Sequence, residues 1–385
     1  MPAVGWQLAP GGSSVGPALE RSYEMAGVVA RGHEAPNAPA VSDSSLEKRK
    51  DAHLDIVLGE AVVPGTPAVG LGRFTLEYDA LPELDLEEVD LSVSLLGKRL
   101  KAPILVGAMT GGTGRAREVN HRLARAAARV GVGMCLGSQR AMIVKPELAE
   151  TFDVRSVAPE LPLLIGNVGA VQLNYGVDLP MVERALHAVA ADAVNLHLNP
   201  LQEAVQPEGD TRFSSLLPKI ADLATALSVP VLLKEVGGGI SARTAKKAAA
   251  LPIAGLEAAG TGGTSWAKVE SFRAPAQSAQ AEVGRRLEAF GITTAESIPI
   301  CRAALGPDRV VVGSGGVRTG MDAAVALALG ADAVALARPL LQAAVVSEEA
   351  VVRELETLIF ELRVLCFCTG SRTPGDLRDG RLRAI

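Results

Sequence analysis

Ala193-Val194-Asn195-Leu196-His197-Leu198 runs directly into Asn199-Pro200-Leu201-Gln202-Glu203. The first six residues have the length and apolar character of a buried strand, and a proline just inside the next segment marks a helix start. Alternation along the strand sends Asn195, His197 and Asn199 to one face, and the turn brings Gln202 and Glu203 over the same end. The same strand-then-helix grammar recurs in Ile104–Ala108, Val132–Leu136, Leu163–Val168, Pro230–Glu235, Gly255–Ala259, Val310–Gly313 and Ala333–Ala337. Eight such units predict an α/β protein with a closed TIM (β/α)8 barrel, although pattern alone also allows an open doubly wound sheet. The placement of Thr110, Ser138, Asn167, His197, Asn199, Lys234, Thr264 and Arg318 at or just beyond strand ends favours the barrel, because it gathers polar groups around one carboxyl-terminal mouth.

Outside residues 103–370, assigned to the barrel, residues 1–42 are rich in Gly, Pro, Ala and Ser and read as a disordered extension. Capping residues at Ser42-Asp43-Ser44-Ser45 predict that order begins there, so residues 43–102 form an amino-terminal segment. Its later part reads as a strand or hairpin preamble able to plug the far end of the barrel, and residues 371–385 as a carboxyl-terminal tail. The chain is 48% hydrophobic and only 3% aromatic, with a net charge of −5. That charge supplies no global attraction for nucleic acid or an anionic membrane, so an anionic ligand needs a local cluster of cations. Cys135, Cys301, Cys366 and Cys368 show no C-x-x-C spacing, and no signal pattern or membrane-length apolar run is present; these features predict a cytoplasmic protein.

Two glycine-rich segments follow the sixth and seventh strands: Gly260-Thr261-Gly262-Gly263-Thr264-Ser265 and Gly313-Ser314-Gly315-Gly316-Val317-Arg318. Backbone N–H groups free of side chains converge well on a phosphate, and Ala337-Arg338-Pro339 ends the eighth strand beside them. Met109-Thr110-Gly111-Gly112-Thr113, Ser138 and Asn167 offer sparse directional bonds suited to a flat ring in an apolar pocket. Lys234, ending the fifth strand, is costly to bury without an anion or polarised ring; the structural alternative is an ion pair with Glu235. Among Asn195, His197, Asn199, Gln202 and Glu203 there is a single carboxylate. That is too little for an all-protein metal cage, and it suits Mg2+ shared with substrate phosphate oxygens.

Arg49-Lys50-Asp51-Ala52-His53-Leu54, Met109-Thr110-Gly111-Gly112-Thr113, Gly137-Ser138-Gln139-Arg140, His197-Leu198-Asn199-Pro200-Leu201-Gln202-Glu203, Gly263-Thr264-Ser265-Trp266 and Gly315-Gly316-Val317-Arg318 together resemble the type 2, FMN-dependent isopentenyl diphosphate delta-isomerases. The resemblance runs in order from about residue 45 to 375. It implies a double-bond shift between isopentenyl and dimethylallyl diphosphate in isoprenoid biosynthesis, with FMN, Mg2+, NADPH as reductant for the flavin, and a homo-oligomer, tetramer or octamer. It also implies FMN contacts from Met109, Thr110, Gly111, Ser138, Asn167, Lys234 and Thr264, with Gly315, Gly316, Arg318, Ala337 and Arg338 around the phosphate. Substrate would meet Arg49, Lys50, His53, Ser138, Arg140, His197, Asn199 and Gln202, of which Gln202, His197 and Asn199 stand nearest the chemistry, and Glu203 would ligate the metal.

No carboxylic acid–base pair is evident in that cluster and Gln202 is no practical base, so the reduced flavin takes the central proton-exchanging role. The family often has an acidic residue at Ala52 and commonly an Asp at Glu257; neither departure is expected to touch the chemistry directly. Two alternatives use the same barrel. One is an FMN-dependent 2-hydroxy acid oxidase or dehydrogenase, which needs a His base and an Arg for the substrate carboxylate, and the other is a non-catalytic flavin-binding barrel.

Overall fold

Eight parallel strands close in chain order: β1 (Ile104–Val106), β2 (Gly133–Cys135), β3 (Leu164–Gly169), β4 (Ala193–Leu198), β5 (Val231–Glu235), β6 (Gly255–Glu257), β7 (Val310–Ser314) and β8 (Ala333–Leu336), with β8 pairing back onto β1. This computed structural model describes residues 43–59, 62–63 and 69–385, so the extension expected over residues 1–42 lies outside the described residues. All eight predicted strands are present, with ends shifted by a residue or two. The closed ring excludes the open sheet.

Strand residues split by parity. Leu105, Cys135, Leu163, Ile165, Ala193, Leu232, Val312 and Ala333 form one buried cluster within the barrel. Their neighbours Ile104, Met134, Leu164, Val194, Leu233, Val311 and Val334 join the larger cluster shared with the helices. Burial on both faces explains why these strands read as continuous apolar runs rather than alternating ones. Val93–Leu95 and Lys98–Leu100 pair as an antiparallel hairpin, and its Leu95 and Leu100 pack into the interior cluster. The end opposite the mouth is thereby filled.

The motif Ala-Asp-Ala-Val occurs twice, at Ala191–Val194 and Ala331–Val334. Asp192 accepts Leu164 N at 2.8 Å and Arg155 Nη2 at 2.5 Å; Asp332 accepts Val311 N at 2.8 Å and Arg302 Nη2 at 2.5 Å. Each clamp ties the residue entering one strand to the preceding strand, which fixes the parallel register at the filled end.

Three helices frame the opposite end. Helix α1 (Asp43–Gly59) carries Arg49, Lys50 and His53. It is fastened by Thr113 Oγ1 donating to Asp51 Oδ1 (2.9 Å), by Arg338 Nε donating to Val57 O (3.1 Å) and by an Arg115–Asp55 ion pair. Helix α2 (Pro200–Val205) starts at the proline after β4, and α3 (Trp266–Arg273) starts at Ser265, whose hydroxyl accepts Lys268 N. Phe74–Leu76 pairs antiparallel with Leu382–Ala384, so the tail returns to the segment that precedes the barrel. Among the described residues no helix is long and apolar enough to cross a membrane.

Candidate active site

Two adjoining cavities open at the carboxyl ends of the strands, and Lys50, His53, Met109, Lys234 and Trp266 line both. Thr110, Thr264, Gly315, Gly316, Arg318, Ala337 and Arg338 line the larger one. Its two glycine loops approach too closely for side chains: a Cβ on Gly263 would lie 2.5 Å from Gly316 N, and one on Gly315, at φ +93°, 2.2 Å from Gly260 O. Arg318 joins the loops by donating to Gly316 O (3.1 Å) and Gly262 O (3.0 Å). Thr110 Oγ1 is buried there with no partner, which a ligand atom would satisfy. A glycine cradle, an orphaned hydroxyl and the nearby Lys234 ammonium match what FMN needs: donors for a phosphate and a sparse polar edge for the ring.

Lys234 does not pair with Glu235. Its Nζ meets Glu257 Oε1, the carboxylate of its cross-strand partner on β6, while Glu235 folds back so that its Oε2 accepts the backbone N–H of Val236, Gly237 and Gly238. Glu257 also accepts Ser314 Oγ (2.9 Å) and Asn195 Nδ2 (3.0 Å), so the residue expected to stay clear of the chemistry holds the cation at its centre. Parallel register put the two residues side by side, and that register is invisible in linear sequence. Gly111 is absent from both cavity walls: a Cβ there would lie 2.0 Å from the Phe152 ring, so close packing accounts for its lack of a side chain. Ser138 and Asn167 line only the smaller cavity, whereas Met109 and Lys234 line both.

That smaller cavity gathers Arg49, Lys50, Arg140, His197, Asn199, Gln202 and Glu203. Burial, then the charges of Arg49 and Arg140, push Lys50 down to about 7. Burial and Arg140 likewise lower Arg49. Burial, reinforced by Lys50, Lys234 and Arg140, lowers His197 to about 3, so its ring is neutral at pH 7. Asn167 Nδ2 donates to Leu136 O (3.0 Å), which leaves Asn167 Oδ1 as the acceptor for His197 Nδ1 at 2.8 Å. This assignment puts the ring proton on Nδ1.

Glu203 is pushed upward by burial, against hydrogen bonds from Asp210 N (2.7 Å) and Asn199 Nδ2 (2.8 Å). Asn199 Oδ1 beside it is buried without a partner. Among the described residues no cluster of three or more His, Cys, Asp or Glu could hold a metal. One carboxylate plus one orphaned amide oxygen fits Mg2+ only as an ion that also takes substrate oxygens and water.

Glu270 does not figure among the residues expected from sequence, where Glu203 is the single carboxylate beside Gln202. Glu270 Oε1 accepts Gln202 Nε2 at 2.9 Å and lies 3.0 Å from His53 Nε2, and Arg273 pairs with its other oxygen. Burial opposes its ionisation, but His53, Arg273 and Gln202 outweigh that and hold it at about 2. Helical spacing was the available signal: Glu270 lies one turn beyond Trp266, four residues on, and reaches Gln202 and His53, which line the smaller cavity together with Trp266. Trp266 packs edge-on against His53, with ring centroids 5.2 Å apart.

A sequence profile of the FMN-dependent dehydrogenases matches residues 172–384. The isopentenyl-diphosphate delta-isomerase of Synechococcus sp. is 47% identical over 348 residues, covering 89% of this chain and 99% of that protein. Those of Nostoc sp. (46% identity, 91% and 99%) and Stutzerimonas stutzeri (44%, 89% and 98%) are similar to comparable extents. Solved structures of mandelate oxidase share the fold, one at 20% identity with a TM-score of 0.62, covering 89% of this chain and 97% of that one. Another, at 20% identity and a TM-score of 0.59, covers 86% and 95% and carries a monooxide FMN adduct.

Proposed function

The chain belongs to the isopentenyl-diphosphate delta-isomerases, and we propose that it interconverts isopentenyl and dimethylallyl diphosphate, with reduced FMN in the larger cavity and Mg2+ beside Glu203. The observation that carries this reading is the crowding of Arg49, Lys50 and Arg140 at one cavity, close enough that Arg49 and Arg140 help hold Lys50 at about 7. Asp210 already pairs with Arg140 and Glu208 stands 3.9 Å from Arg49, so Lys50 is the cation of the three that an added anion would hold in its charged form, and a diphosphate supplies several negative charges. Sharing a wall with the larger cavity then sets the carbon end of that substrate against a flat ring.

In this reading Arg49, Lys50, Arg140 and Ser138 bind the diphosphate, with His197 beside them as a neutral ring whose Nδ1 proton is held by Asn167. Glu203 and Asn199 Oδ1 would hold Mg2+, which supplies further positive charge to the diphosphate. Gln202, its amide pinned by Glu270, orients the alkene. Trp266 and His53 wall that end with ring carbon and exclude water. When bound, reduced FMN would supply the group that exchanges a proton with the alkene, with NADPH as the reductant that would keep it reduced and not a stoichiometric co-substrate. Mandelate oxidase shares only the fold at this identity; the smaller cavity does hold a histidine and arginines, but His197 at about 3 is a weak base and Arg140 is already paired with Asp210.

The test is anaerobic incubation of the purified protein with isopentenyl diphosphate, FMN, Mg2+ and NADPH, following dimethylallyl diphosphate and NADPH together. Product should accumulate with no stoichiometric loss of NADPH. One NADPH oxidised per product, or no product at all, overturns the assignment.

A further inference from the structure

Lys234 is buried at the wall common to both cavities, and its ammonium is not a lone charge. Glu257, 1% exposed, meets it from the adjacent strand in direct register. The carboxylate also accepts Ser314 Oγ from β7 at Oε1 and Asn195 Nδ2 from β4 at Oε2. Three strands thus converge on Glu257, and Lys234 is the only cation among its hydrogen-bond partners in the described residues. Such a network leaves Glu257 little freedom, and a pinned carboxylate pins the Lys234 ammonium. His197 is the register partner of Lys234 on the other side, so the layer His197, Lys234, Glu257 crosses the barrel floor beneath both cavities.

We propose that Glu257 is a positioning residue for the flavin: through Lys234 it fixes where the cation lies at the wall of the larger cavity and offsets the positive charge that a ring bound there would meet. This rests on FMN occupying the larger cavity. A bare ammonium beside the ring would favour the reduced, more negative flavin over the oxidised one, and the Glu257 carboxylate moderates that preference. The methylene that distinguishes Glu257 from an Asp sets the reach of the carboxylate toward Lys234.

The experiment measures the affinities of oxidised and reduced FMN in the parent protein, Glu257→Gln, Glu257→Asp, Lys234→Met and the Lys234→Met/Glu257→Gln double variant. Glu257→Gln keeps the shape and loses the charge. It should raise the preference for reduced over oxidised FMN about tenfold, equivalent to about 30 mV for a two-electron couple. Glu257→Asp keeps the charge, so the ratio should stay within about twofold of the parent while both affinities fall, because the shorter acid draws Lys234 away from the ring. In the Lys234→Met background a buried carboxylate without its cation is neutralised, so adding Glu257→Gln should leave the ratio unmoved. A parent protein that binds no FMN overturns the reading beneath the proposal. FMN bound with the same ratio in Glu257→Gln overturns the proposal alone, as does a tenfold change in Glu257→Asp or in the double variant over Lys234→Met. Loss of fold in Glu257→Gln leaves the Asp and Lys234→Met arms to decide.

Discussion

His197 Nδ1 lies 2.8 Å from Asn167 Oδ1, and that amide's other end is committed to Leu136 O. The imidazole is therefore held as one tautomer, with burial and the cations Lys50, Lys234 and Arg140 depressing it to about 3 from an ordinary 6.5. Nitrogen NMR of the ligand-free protein should show a neutral His197 that does not titrate between pH 8 and 5. The folded value lies below the unfolded one, so the unfolded chain binds the extra proton as pH falls from 6.5 toward 3, and stability drops across that window. A His197 resonance that titrates near pH 6.5 would show that the ring is not held in this way.

Lys50 gives a sharper test of the anion site. Free, it is held at about 7, so at pH 8 it is largely uncharged. A bound diphosphate favours the ammonium and draws in a proton. Calorimetry in buffers of different ionisation enthalpy should report proton uptake approaching one per diphosphate at pH 8, and little from this group at pH 6. Lys50→Met should abolish the uptake at pH 8 and weaken binding by about tenfold or more. Binding at pH 8 without proton uptake would remove Lys50 from the anion site.

Gly111 distinguishes packing from ligand contact. A methyl group there meets the buried Phe152 ring at 2.0 Å, so Gly111→Ala should cost about 1–3 kcal/mol by overpacking. Urea denaturation measures that loss, and FMN affinity at temperatures where the variant is folded should change by less than about threefold. A stable variant that cannot bind FMN would return Gly111 to the cofactor site.

The barrel was legible because each parallel strand is buried on both faces, and each therefore appears as a short apolar run ending in a polar residue. The gathering of polar residues at one mouth was legible for the same reason: His197 is the penultimate residue of β4, Asn199, Gln202 and Glu203 come after that strand, and Thr110 comes after β1. What linear sequence does not carry is lateral register. Lys234 and Glu257 are 23 residues apart and become neighbours only through the pairing of β5 with β6. Glu235, adjacent in sequence, is the obvious partner and the wrong one, since its carboxylate is taken by three backbone N–H groups that turn the loop. Glu270 escaped for a different reason. A carboxylate within an ordinary helix reads as a solvated face until α1 and α2 bring His53 and Gln202 against it. The repeated Ala-Asp-Ala-Val carries no meaning in linear sequence alone, because only the fold shows that its aspartates clamp adjacent strands at the filled end.

Glu270 should make the protein acid-sensitive. Its carboxyl is held at about 2 against an ordinary 4.5, so the stability it contributes is present above 4.5 and is lost as pH falls through 2. Glu270→Gln leaves Arg273 short of a buried partner and should destabilise the protein by about 3 kcal/mol at pH 7. The gap between parent and variant in chemical denaturation should close between pH 4.5 and 2. A gap that stays constant with pH would mean that Glu270 is not the ionised centre of this network.

Glu203 and Gln202 are adjacent in sequence, share Asn199 as a hydrogen-bond donor, and should nevertheless fail in different ways. Glu203→Gln keeps the shape and one of the two hydrogen bonds that the Glu203 oxygens accept while removing the only carboxylate proposed for Mg2+, so the loss of charge is its main effect on metal binding. The Mg2+ concentration for half-maximal activity should rise at least tenfold and KM for isopentenyl diphosphate should rise with it, while FMN affinity is unchanged. Gln202→Ala leaves that carboxylate in place and empties the position between Asn199 and Glu270, so the alkene loses its orienting amide. A small misplacement of reacting atoms lowers rate by about 100-fold, and the loss should fall on kcat with the Mg2+ requirement as in the parent. The magnesium dependence of steady-state kinetics, run on both variants side by side, separates the roles. A parental Mg2+ requirement in Glu203→Gln would remove that residue from the metal site, and normal turnover in Gln202→Ala would remove Gln202 from the reacting carbons, leaving the anion site of Arg49, Lys50 and Arg140 as the surviving part of the assignment.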